Sequence, residues 1–414
     1  MSNLDKIFNS IGQRTLFKNK DVLQMDYSPE TIPFREKQIE QVALIMAPAL
    51  IGQKTSNLFV YGKTGTGKTL VIKHIQNEMQ KRGAEGSGKP LKLVYINCKF
   101  KKVADTEYRL LAELIKKLGG TISATGLPTD QVYNKFLSTL ESLDNKIFVI
   151  ILDEVDQIVK KISDEFLYNL TRINAELPKK LVTIVGISND VRFLDDMDPR
   201  VKSSLSEEEI VFPPYDALQL KDILLKRANE AFKENSVDSG AIAKCAAFAA
   251  QEHGDARRAL DLLRVAGEIA ERAGDKKITT MHIDEANAKI ERDKILDIVQ
   301  TEPNQFQAVL LAIINLEESK DKLKSQKSLI ADEGGKIYTG DVSKVYESLC
   351  KKTGMEILTQ RRVGDIISEF DMLGIISAPV VSKGRYGRTK EIKSLIPAGL
   401  TEKVKEIITK SLGI

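Results

Sequence analysis

The sequence predicts an α/β fold with a parallel sheet, followed by a helical segment and by a small C-terminal domain of three helices and a β-hairpin. Three observations support this order. In the first half of the chain, short apolar runs alternate with helical patterns, as in a sheet whose strands are joined by crossover helices. Residues 217–290 show helical patterns alone, and the pattern changes again from about Gln305.

The predicted sheet has four strands, and a glycine-rich loop follows the first of them directly. A helical pattern at 39–47 precedes the sheet. The helical segment after the sheet contains alanine-rich stretches, which are typical of a compact helical lid. The strands are predicted at residues 58–61, 91–96, 147–152 and 181–187, and the alanine-rich stretches lie at 241–250 and 254–273.

The composition is that of a globular protein and excludes several classes. Of the 414 residues, 42% are hydrophobic and 29% are charged, unlike disordered or fibrous chains. No run reaches the roughly 20 apolar residues of a membrane helix, and the first residues lack a signal-peptide pattern. The three cysteines and three histidines show neither disulfide-framework nor metal-ligand spacing. We therefore expect a cytoplasmic protein without a membrane partner.

A phosphate-binding loop is predicted at residues 62–69, where the sequence matches G-x-x-x-x-G-K-[ST] in full. The loop lies between a predicted strand and a predicted helix at 70–81. Its glycines let backbone amides surround phosphate oxygens, and the helix N-terminus favours negative charge. Lys68 would reach the outer phosphates, and Thr69 would bind magnesium. The predicted nucleotide contacts are Gly62, Lys63, Thr64, Gly65, Thr66, Gly67, Lys68 and Thr69.

Two acidic residues follow the third predicted strand. Asp153 is expected to join Thr69 in the magnesium shell, and Glu154 to orient or deprotonate the attacking water. Asp156 is interpreted either as a solvated carboxylate or as one that contacts the metal ligands rather than the metal itself. An isolated Asp-Glu pair is common, but together with the phosphate-binding loop it indicates binding and hydrolysis of a nucleoside triphosphate.

Two further residues are candidates for sensing the γ-phosphate. Asn189 follows the fourth predicted strand, where a polar side chain could contact the phosphate or the water, although Asn-Asp is also common in turns. Arg257 begins a helical pattern in the sequence Gly-Asp-Ala-Arg-Arg at 254–258. A surface ion pair is the alternative role for this arginine.

The C-terminal domain has the order of a winged helix-turn-helix, with helices predicted at 306–316, 339–351 and 359–373 before strands at 375–381 and 391–396. Five basic residues and one acid lie between positions 376 and 393. A solvated basic loop is the usual alternative, but a preceding helix-turn-helix favours DNA contact. One of the two arginines at the start of the third helix could instead pair with Asp365. The predicted DNA contacts are Arg361, Arg362, Lys383, Arg385, Tyr386 and Arg388.

Taken together, these motifs resemble the AAA+ ATPases, and the flanking segments resemble a narrower group, the archaeal origin-recognition proteins. These are relatives of the largest subunit of the eukaryotic origin recognition complex and of the cell-division-control helicase loader. The resemblance covers nearly the whole chain. It rests on Ile-Pro-Phe-Arg-Glu-Lys-Gln at 32–38, Asp-Met-Asp-Pro-Arg-Val-Lys-Ser-Ser-Leu at 196–205, Gly-Asp-Ala-Arg-Arg-Ala-Leu at 254–260 and the terminal winged helix.

The resemblance implies a role for each motif at the nucleotide. Residues 62–69 would be the Walker A motif, Asp153 and Glu154 the Walker B motif, Asn189 sensor 1 and Arg257 sensor 2. The segment before Gln38 would lie over the adenine. The further nucleotide contacts from the lid would be Pro214-Tyr215 and Arg227.

Two more features follow from the same resemblance. Arg200 matches the arginine that AAA+ assemblies present to a neighbour's nucleotide, and a structural salt bridge is the alternative. The insertion between Cys98 and Ile147 resembles a helical hairpin that touches DNA beside the winged helix. Its helices are predicted at 106–118 and 129–143, and the tip between them carries no Lys or Arg. The alternative DNA contacts are nearby lysines, namely Lys101, Lys102, Lys116 and Lys117.

The resemblance implies a DNA replication initiator that binds ATP or ADP with Mg²⁺ and recognises double-stranded origin DNA. It would help to recruit or load the replicative helicase of the minichromosome maintenance type, beside paralogous initiators on the same origin. ATP hydrolysis would be a slow switch, and the protein would be associated with the chromosome. The domains would be an ATPase base at 1–213, a lid at 214–300 and a winged helix at 301–414. The alternatives are a remodelling ATPase with repeated turnover and a P-loop transcription regulator.

Overall fold

The computed structural model describes residues 15–25, 27–85, 91–99, 106–123, 126–190, 192–193, 195, 197–205, 207–326, 336–382 and 388–414. The chain divides into two compact units, residues 1–286 and 287–414. No helix in the described part of the chain is long and apolar enough to span a membrane.

A five-stranded parallel sheet forms the centre of the first unit, in the order β2-β3-β4-β1-β5. Four strands lie where the sequence predicts them. The fifth, β5, was not predicted because it is a short edge strand with two exposed glutamates, Glu208 and Glu209, and no apolar run. The strands are β1 (Leu58–Tyr61), β2 (Leu91–Asn97), β3 (Ile147–Asp153), β4 (Leu181–Ser188) and β5 (Glu208–Val211).

Helices cover both faces of this sheet. Side chains of β3 alternate between two cores, since successive residues of a strand point to opposite faces. Ile147, Val149 and Ile151 pack with α1 and α2, whereas Phe148 and Ile150 pack on the face that holds the other helices. The helices are α1 (Glu36–Met46), α2 (Lys68–Glu85), α3 (Glu107–Leu118), α4 (Thr129–Ser142), α5 (Asp156–Lys161), α6 (Asp164–Glu176) and α7 (Pro199–Leu205). The predicted helical hairpin is present as α3 and α4.

The lid contains α8 (Ala217–Ala231), α9 (Ser239–Gln251), α10 (Ala256–Ala273) and the start of α11 (Thr280–Thr301). An N-terminal segment, residues 15–24, is bound to it. The ring of Phe17 lies 4.6 Å from that of Phe232, centroid to centroid, and the Leu16 amide donates to Glu271 at 2.7 Å. A Cβ at position 267 would lie 2.6 Å from the Phe17 ring, so the close contact requires glycine on α10.

The second unit is a winged helix, as predicted. Helices α12, α13 and α14 correspond to the three predicted helices, and β9 pairs antiparallel with β6, β7 and β8. The C-terminal helix α15 and the two-residue strand β6 were not predicted. The elements are α12 (Asn304–Gln326), β6 (Ile337–Tyr338), α13 (Thr339–Thr353), α14 (Gln360–Met372), β7 (Ile376–Ser377), β8 (Val380–Ser382), β9 (Arg388–Ser394) and α15 (Ala398–Leu412).

Candidate nucleotide site and nucleic-acid interface

The phosphate-binding loop runs from the end of β1 into the start of α2, as predicted. Its three glycines, Gly62, Gly65 and Gly67, have φ of 155°, 73° and 89°. A Cβ at Gly65 would lie 1.8 Å from Oδ1 of Asp255, which caps α10 by accepting a bond from the Arg257 amide at 2.8 Å. The loop is therefore packed directly against the first turn of the lid helix that carries the candidate sensor arginine.

Lys68 is buried at the start of α2, with 4% of its surface exposed. Its Nζ donates to the carbonyls of Gly62 and Lys63, at 2.7 Å each. Burial lowers the pKa of Lys68 to about 8, and the charge of Asp153 partly opposes that shift. A bound phosphate would favour the charged ammonium, because an opposite charge nearby raises the pKa of a lysine.

Asp153 ends β3 and lies against Thr69, which brings the two predicted magnesium ligands together. The Thr69 hydroxyl donates to Oδ2 of Asp153 at 2.9 Å, and Asp153 as a whole is 3% exposed. Carboxylate and hydroxyl oxygens are the hard ligands that Mg²⁺ prefers. Tyr95, which the sequence did not single out, also donates to Oδ2, at 2.7 Å.

Glu154 has a backbone conformation that is uncommon for a residue with a side chain. Its φ is 56°, in the left-handed region, which costs non-glycine residues roughly 1–2 kcal/mol. Its amide donates to Oδ1 of Asp153 at 2.9 Å, and its carboxylate lies 3.9 Å from Lys99 Nζ. Such strain is concentrated at functional sites, where surrounding contacts hold the residue in place.

Asn189 directly follows β4, which lies between β1 and β3 in the sheet. The register pairs Ser188 with Tyr61, and Ile187 with Asp153. Asn189 is therefore placed between the phosphate-binding loop and the acidic pair, as a sensor 1 residue would be. Asp156 is buried and accepts a bond from the Ser188 hydroxyl at 3.0 Å, so it is not a solvated carboxylate.

The two arginines at the start of α10 have different surroundings. Arg258 is held near Glu252, with 3.2 Å between Nε and the carboxylate, and its side chain is 12% exposed. Arg257 is exposed, and within the described parts of the chain no carboxylate forms an ion pair with it. Burial is the main cause of the lowered pKa of Lys68, and the positive charge of Arg257 lowers that pKa further. Arg257 is thus near the phosphate-binding loop and available for a ligand.

Arg35 and Tyr215 connect the phosphate-binding loop to the start of the lid. Arg35 is 2% exposed, and it donates to the carbonyls of Thr66 at 2.8 Å and Pro213 at 2.6 Å. Its guanidinium lies 3.8 Å from the centre of the Tyr215 ring. Tyr215 is itself buried beside Gly67. The sequence had no signal for this arginine beyond its place in the segment at 32–38.

Arg227, on α8, is a buried cation with one unsatisfied donor. It is 8% exposed, and its Nη1 has no hydrogen-bond partner in the described structure. Its guanidinium lies 4.6 Å from the ring centre of Tyr27, and burial lowers its pKa. A buried donor without a partner suits a polar ligand. Together with the phosphate-binding loop and the Thr69–Asp153 pair, Arg227 therefore fits a bound nucleotide with Mg²⁺. The nucleotide contacts of Tyr215 and Arg227 remain predictions.

The start of α14 presents the two arginines predicted to contact DNA. Thr359 caps the helix by accepting a bond from the Arg362 amide at 3.4 Å. Arg362 lies 3.8 Å from Asp365 and 3.9 Å from Glu369. Arg361 is exposed and pairs with no carboxylate in the described structure. Of the two arginines, Arg362 is therefore the one that pairs with Asp365.

The wing is described in part. Arg388 is exposed at the start of β9, whereas Lys383, Arg385 and Tyr386 lie outside the described residues. The side chain of Lys390 forms hydrogen bonds within the protein. Its Nζ donates to the Gly364 carbonyl at 2.9 Å and also to the Ser368 hydroxyl, both on α14.

Known proteins match the chain over nearly its whole length. Three family models match in succession: an AAA domain at 52–190, a Cdc6 AAA+ ATPase-type lid domain at 221–288, and a CDC6 C-terminal winged helix domain at 297–404. The ORC1-type DNA replication protein of Thermococcus onnurineus is 50% identical over 397 residues, which cover 94% of this chain and 91% of the relative. The chain belongs to the ORC1-type DNA replication proteins.

Other members of this family agree with the assignment. The ORC1-type DNA replication protein 1 of Methanosarcina acetivorans is 47% identical over 403 residues, or 97% of this chain and 93% of the relative. A solved structure of the Aeropyrum pernix Orc1 protein in complex with DNA superposes with a TM-score of 0.82 at 41% identity, covering 95% of this chain and 97% of that one. The predicted resemblance and fold are confirmed, and the family is one of AAA+ ATPases.

One arginine of this ORC1-type protein has two predicted roles. Arg200 is 76% exposed and forms an ion pair with Asp198, with 2.9 Å between Nη2 and Oδ2. The salt-bridge alternative is therefore present in the single chain. A role toward a neighbour's nucleotide stays a prediction.

Proposed function

We propose that this ORC1-type protein binds ATP or ADP with Mg²⁺, binds double-stranded origin DNA, and helps to recruit or load a replicative helicase of the minichromosome maintenance type. The observation that carries the proposal is the combination, in one chain, of a Walker A loop in contact with Asp153 and a winged helix that exposes Arg361 and Arg388. Paralogous initiators on the same origin are proposed as further partners.

The chemistry that we propose for the nucleotide site is binding followed by slow hydrolysis. Lys68 and the loop amides would hold the phosphates, Thr69 and Asp153 would hold Mg²⁺, and Glu154 would orient the water. Arg200 lies in a surface ion pair with Asp198. If Arg200 acts on the nucleotide of a neighbouring copy, a single chain would lack its contribution and hydrolyse ATP slowly, since an arginine supplied in this way raises phosphoryl-transfer rates by roughly 10³–10⁵ in P-loop enzymes. Slow hydrolysis suits a switch between two DNA-bound states.

The DNA-binding part of the proposal is supported by the Aeropyrum pernix relative, whose structure is of a complex with DNA. The start of α14 would enter the major groove, as recognition helices do, and the wing would follow the backbone. Arg361 and Arg388 are exposed and suited to phosphates or base edges. The hairpin of α3 and α4 would add a second contact.

Salt dependence of DNA binding tests this part directly. If Arg361 and Arg388 each neutralise one phosphate, the double alanine variant should reduce the slope of log affinity against log salt by about 1.8, at ~0.9 per contact. Origin and random duplexes should be titrated at several salt concentrations. Arg272→Ala removes an exposed arginine of the lid and is the matched control, for which the slope should not change. Unchanged affinity in the double variant would remove these arginines from the interface.

Mapping the bound sites across the genome separates the proposed function from its alternatives. Binding concentrated at origins, together with helicase recruitment that depends on this protein, is the expected result. Binding at promoters would favour a transcription regulator. Fast multiple-turnover hydrolysis on DNA would favour a remodelling ATPase.

A further inference from the structure

We propose that Tyr95 is a positioning residue for magnesium, because its phenol holds the Asp153 carboxylate in the orientation that binds the metal. This inference rests on the proposed function of the nucleotide site. The Tyr95 hydroxyl donates to Oδ2 of Asp153 at 2.7 Å, which is shorter than the 2.9 Å bond from Thr69 to the same oxygen. Hydrogen bonds to a charged acceptor are the stronger kind.

The sheet register brings the phenol to the metal site. In the pairing of β2 with β3, Asn97 is opposite Asp153 and Tyr95 is opposite Ile151. Residues two apart on a strand share a face, so Tyr95 and Asp153 lie on the face of the sheet that packs against α2. The tyrosine side chain extends along the strand direction to the carboxylate. A shorter side chain at position 95 would not reach the Asp153 carboxylate.

Three donors fix the Asp153 carboxylate. Thr69 and Tyr95 bond Oδ2, and the Glu154 amide bonds Oδ1 at 2.9 Å. Thr69 keeps its own lone pairs for a metal while its proton is directed at Asp153. Groups that form hydrogen bonds to a metal ligand and so orient it affect the affinity for the metal as strongly as they affect the catalytic rate. Without the Tyr95 hydroxyl, Thr69 would be the only one of these three donors that bonds Oδ2 of Asp153.

A lysine of α2 also contacts the ring of Tyr95. Lys73 lies four residues after Thr69 on this helix, and its Nζ is 4.8 Å from the centre of the Tyr95 ring. Residues four apart share a helix face. The ring is therefore held between the ammonium of Lys73 and the carboxylate of Asp153. Replacing tyrosine by phenylalanine keeps this ring contact and removes only the hydroxyl.

Tyr95→Phe is the variant that tests the inference. Binding of a fluorescent ADP analogue should be titrated with Mg²⁺ and, separately, measured in EDTA. The Mg²⁺ concentration for half-maximal effect should rise ~10-fold, the lower end of the range seen when a partner of a metal ligand is removed. Affinity in EDTA should stay within about twofold of wild type, since the phosphate contacts are intact. A purely structural hydroxyl would leave the Mg²⁺ titration unchanged, and that result would overturn the inference.

Tyr133→Phe is the matched control, because Tyr133 lies on α4, away from the nucleotide site, and its hydroxyl donates to Glu176 of α6 at 3.0 Å. It should leave both titrations unchanged. An equal loss of Mg²⁺ response in Tyr133→Phe would also count against a specific role of Tyr95. If the wild-type protein binds no ADP, the proposed function fails instead.

A second measurement leaves the hydroxyl in place and so does not depend on the folding of Tyr95→Phe. With 3-fluorotyrosine at position 95, the ¹⁹F resonance of the ADP-bound protein should shift when Mg²⁺ is added and return when EDTA is added. A resonance that does not respond to Mg²⁺, in protein whose ADP affinity does respond, would contradict the inference.

Discussion

Lys68 and Glu154 are expected to act on different steps of the nucleotide reaction. Lys68 is buried in the loop and would contact the phosphates, so Lys68→Ala should abolish detectable ATP binding in calorimetry. Glu154 is expected to act on the water, so Glu154→Gln should bind ATP like wild type and lose most hydrolysis, about 10²-fold or more, as expected when a general base is removed. Lys81→Ala, an exposed lysine farther along α2, is the control. Wild-type ATP affinity in Lys68→Ala would show that the assignment is wrong.

Arg257 and Arg258 provide a second comparison between neighbouring residues. Arg257 is exposed beside the phosphate-binding loop, whereas Arg258 is held near Glu252. Arg257→Ala should therefore reduce single-turnover ATP hydrolysis by at least about 10-fold, the loss of one charge-assisted contact of ~1.4 kcal/mol or more. Arg258→Ala should act on the melting temperature instead. Equal or reversed effects on hydrolysis would contradict the role of Arg257.

The same site shows which residues a sequence can predict. Walker residues such as Lys68 and Asp153 belong to a loop and a strand end whose spacing is fixed by phosphate and metal geometry. Tyr95 and Arg35 are found only in three dimensions, because their partners Asp153 and Thr66 are distant in sequence and depend on sheet register and side-chain length. The pairing of Arg362 with Asp365, which the sequence left open, also depends on rotamers.

Among the elements, β9 and α14 are connected by Lys390. Its ammonium bonds the Gly364 carbonyl and the Ser368 hydroxyl, so it fixes the recognition helix to the base of the wing. Lys390→Met should weaken DNA binding severalfold without changing the salt slope, because no phosphate contact is lost. Titration of one duplex at several salt concentrations measures both quantities.

Lys393→Met is the comparison for that experiment, since Lys393 lies on the same strand and its side chain is exposed. If Lys393 contacts a phosphate, its loss should reduce the slope by ~0.9, and if it does not, the slope should be unchanged. A reduced slope in Lys390→Met would instead mean that its ammonium contacts DNA.

Elements with strong patterns were predicted, and weakly patterned ones were missed. β3 is buried and is apolar up to its last residue, Asp153, and the helices at 106–118 and 129–143 have clear apolar faces, so all three were predicted close to their observed bounds. β5 is short and half polar, and β6 has only two residues, so their pairing is decided by a neighbouring strand rather than by their own residues. Such edge strands carry little local signal.

For the whole molecule, the core of the winged helix begins before residue 301. Leu296 and Val299, near the end of α11, are buried in that core, and the Val299 carbonyl accepts a bond from Gln307 at 2.8 Å. A fragment 301–414 loses both side chains, each worth about 1.5–3 kcal/mol when buried. It should melt at least about 10 °C below a fragment 287–414 in a thermal scan followed by circular dichroism. Equal melting temperatures would place the start of the independent domain at 301.

The N-terminal segment has a consequence for recombining relatives. Residues 15–24 are separated from α10 by more than two hundred positions, yet Phe17 fills the space above Gly267 and Leu16 bonds Glu271. The lid is therefore discontinuous in sequence. A chimera that takes only the lid helices of another family member would place a foreign surface under Phe17, whereas a chimera that also takes residues 15–24 would inherit the contact intact. Crossover points in this family should therefore be chosen in pairs.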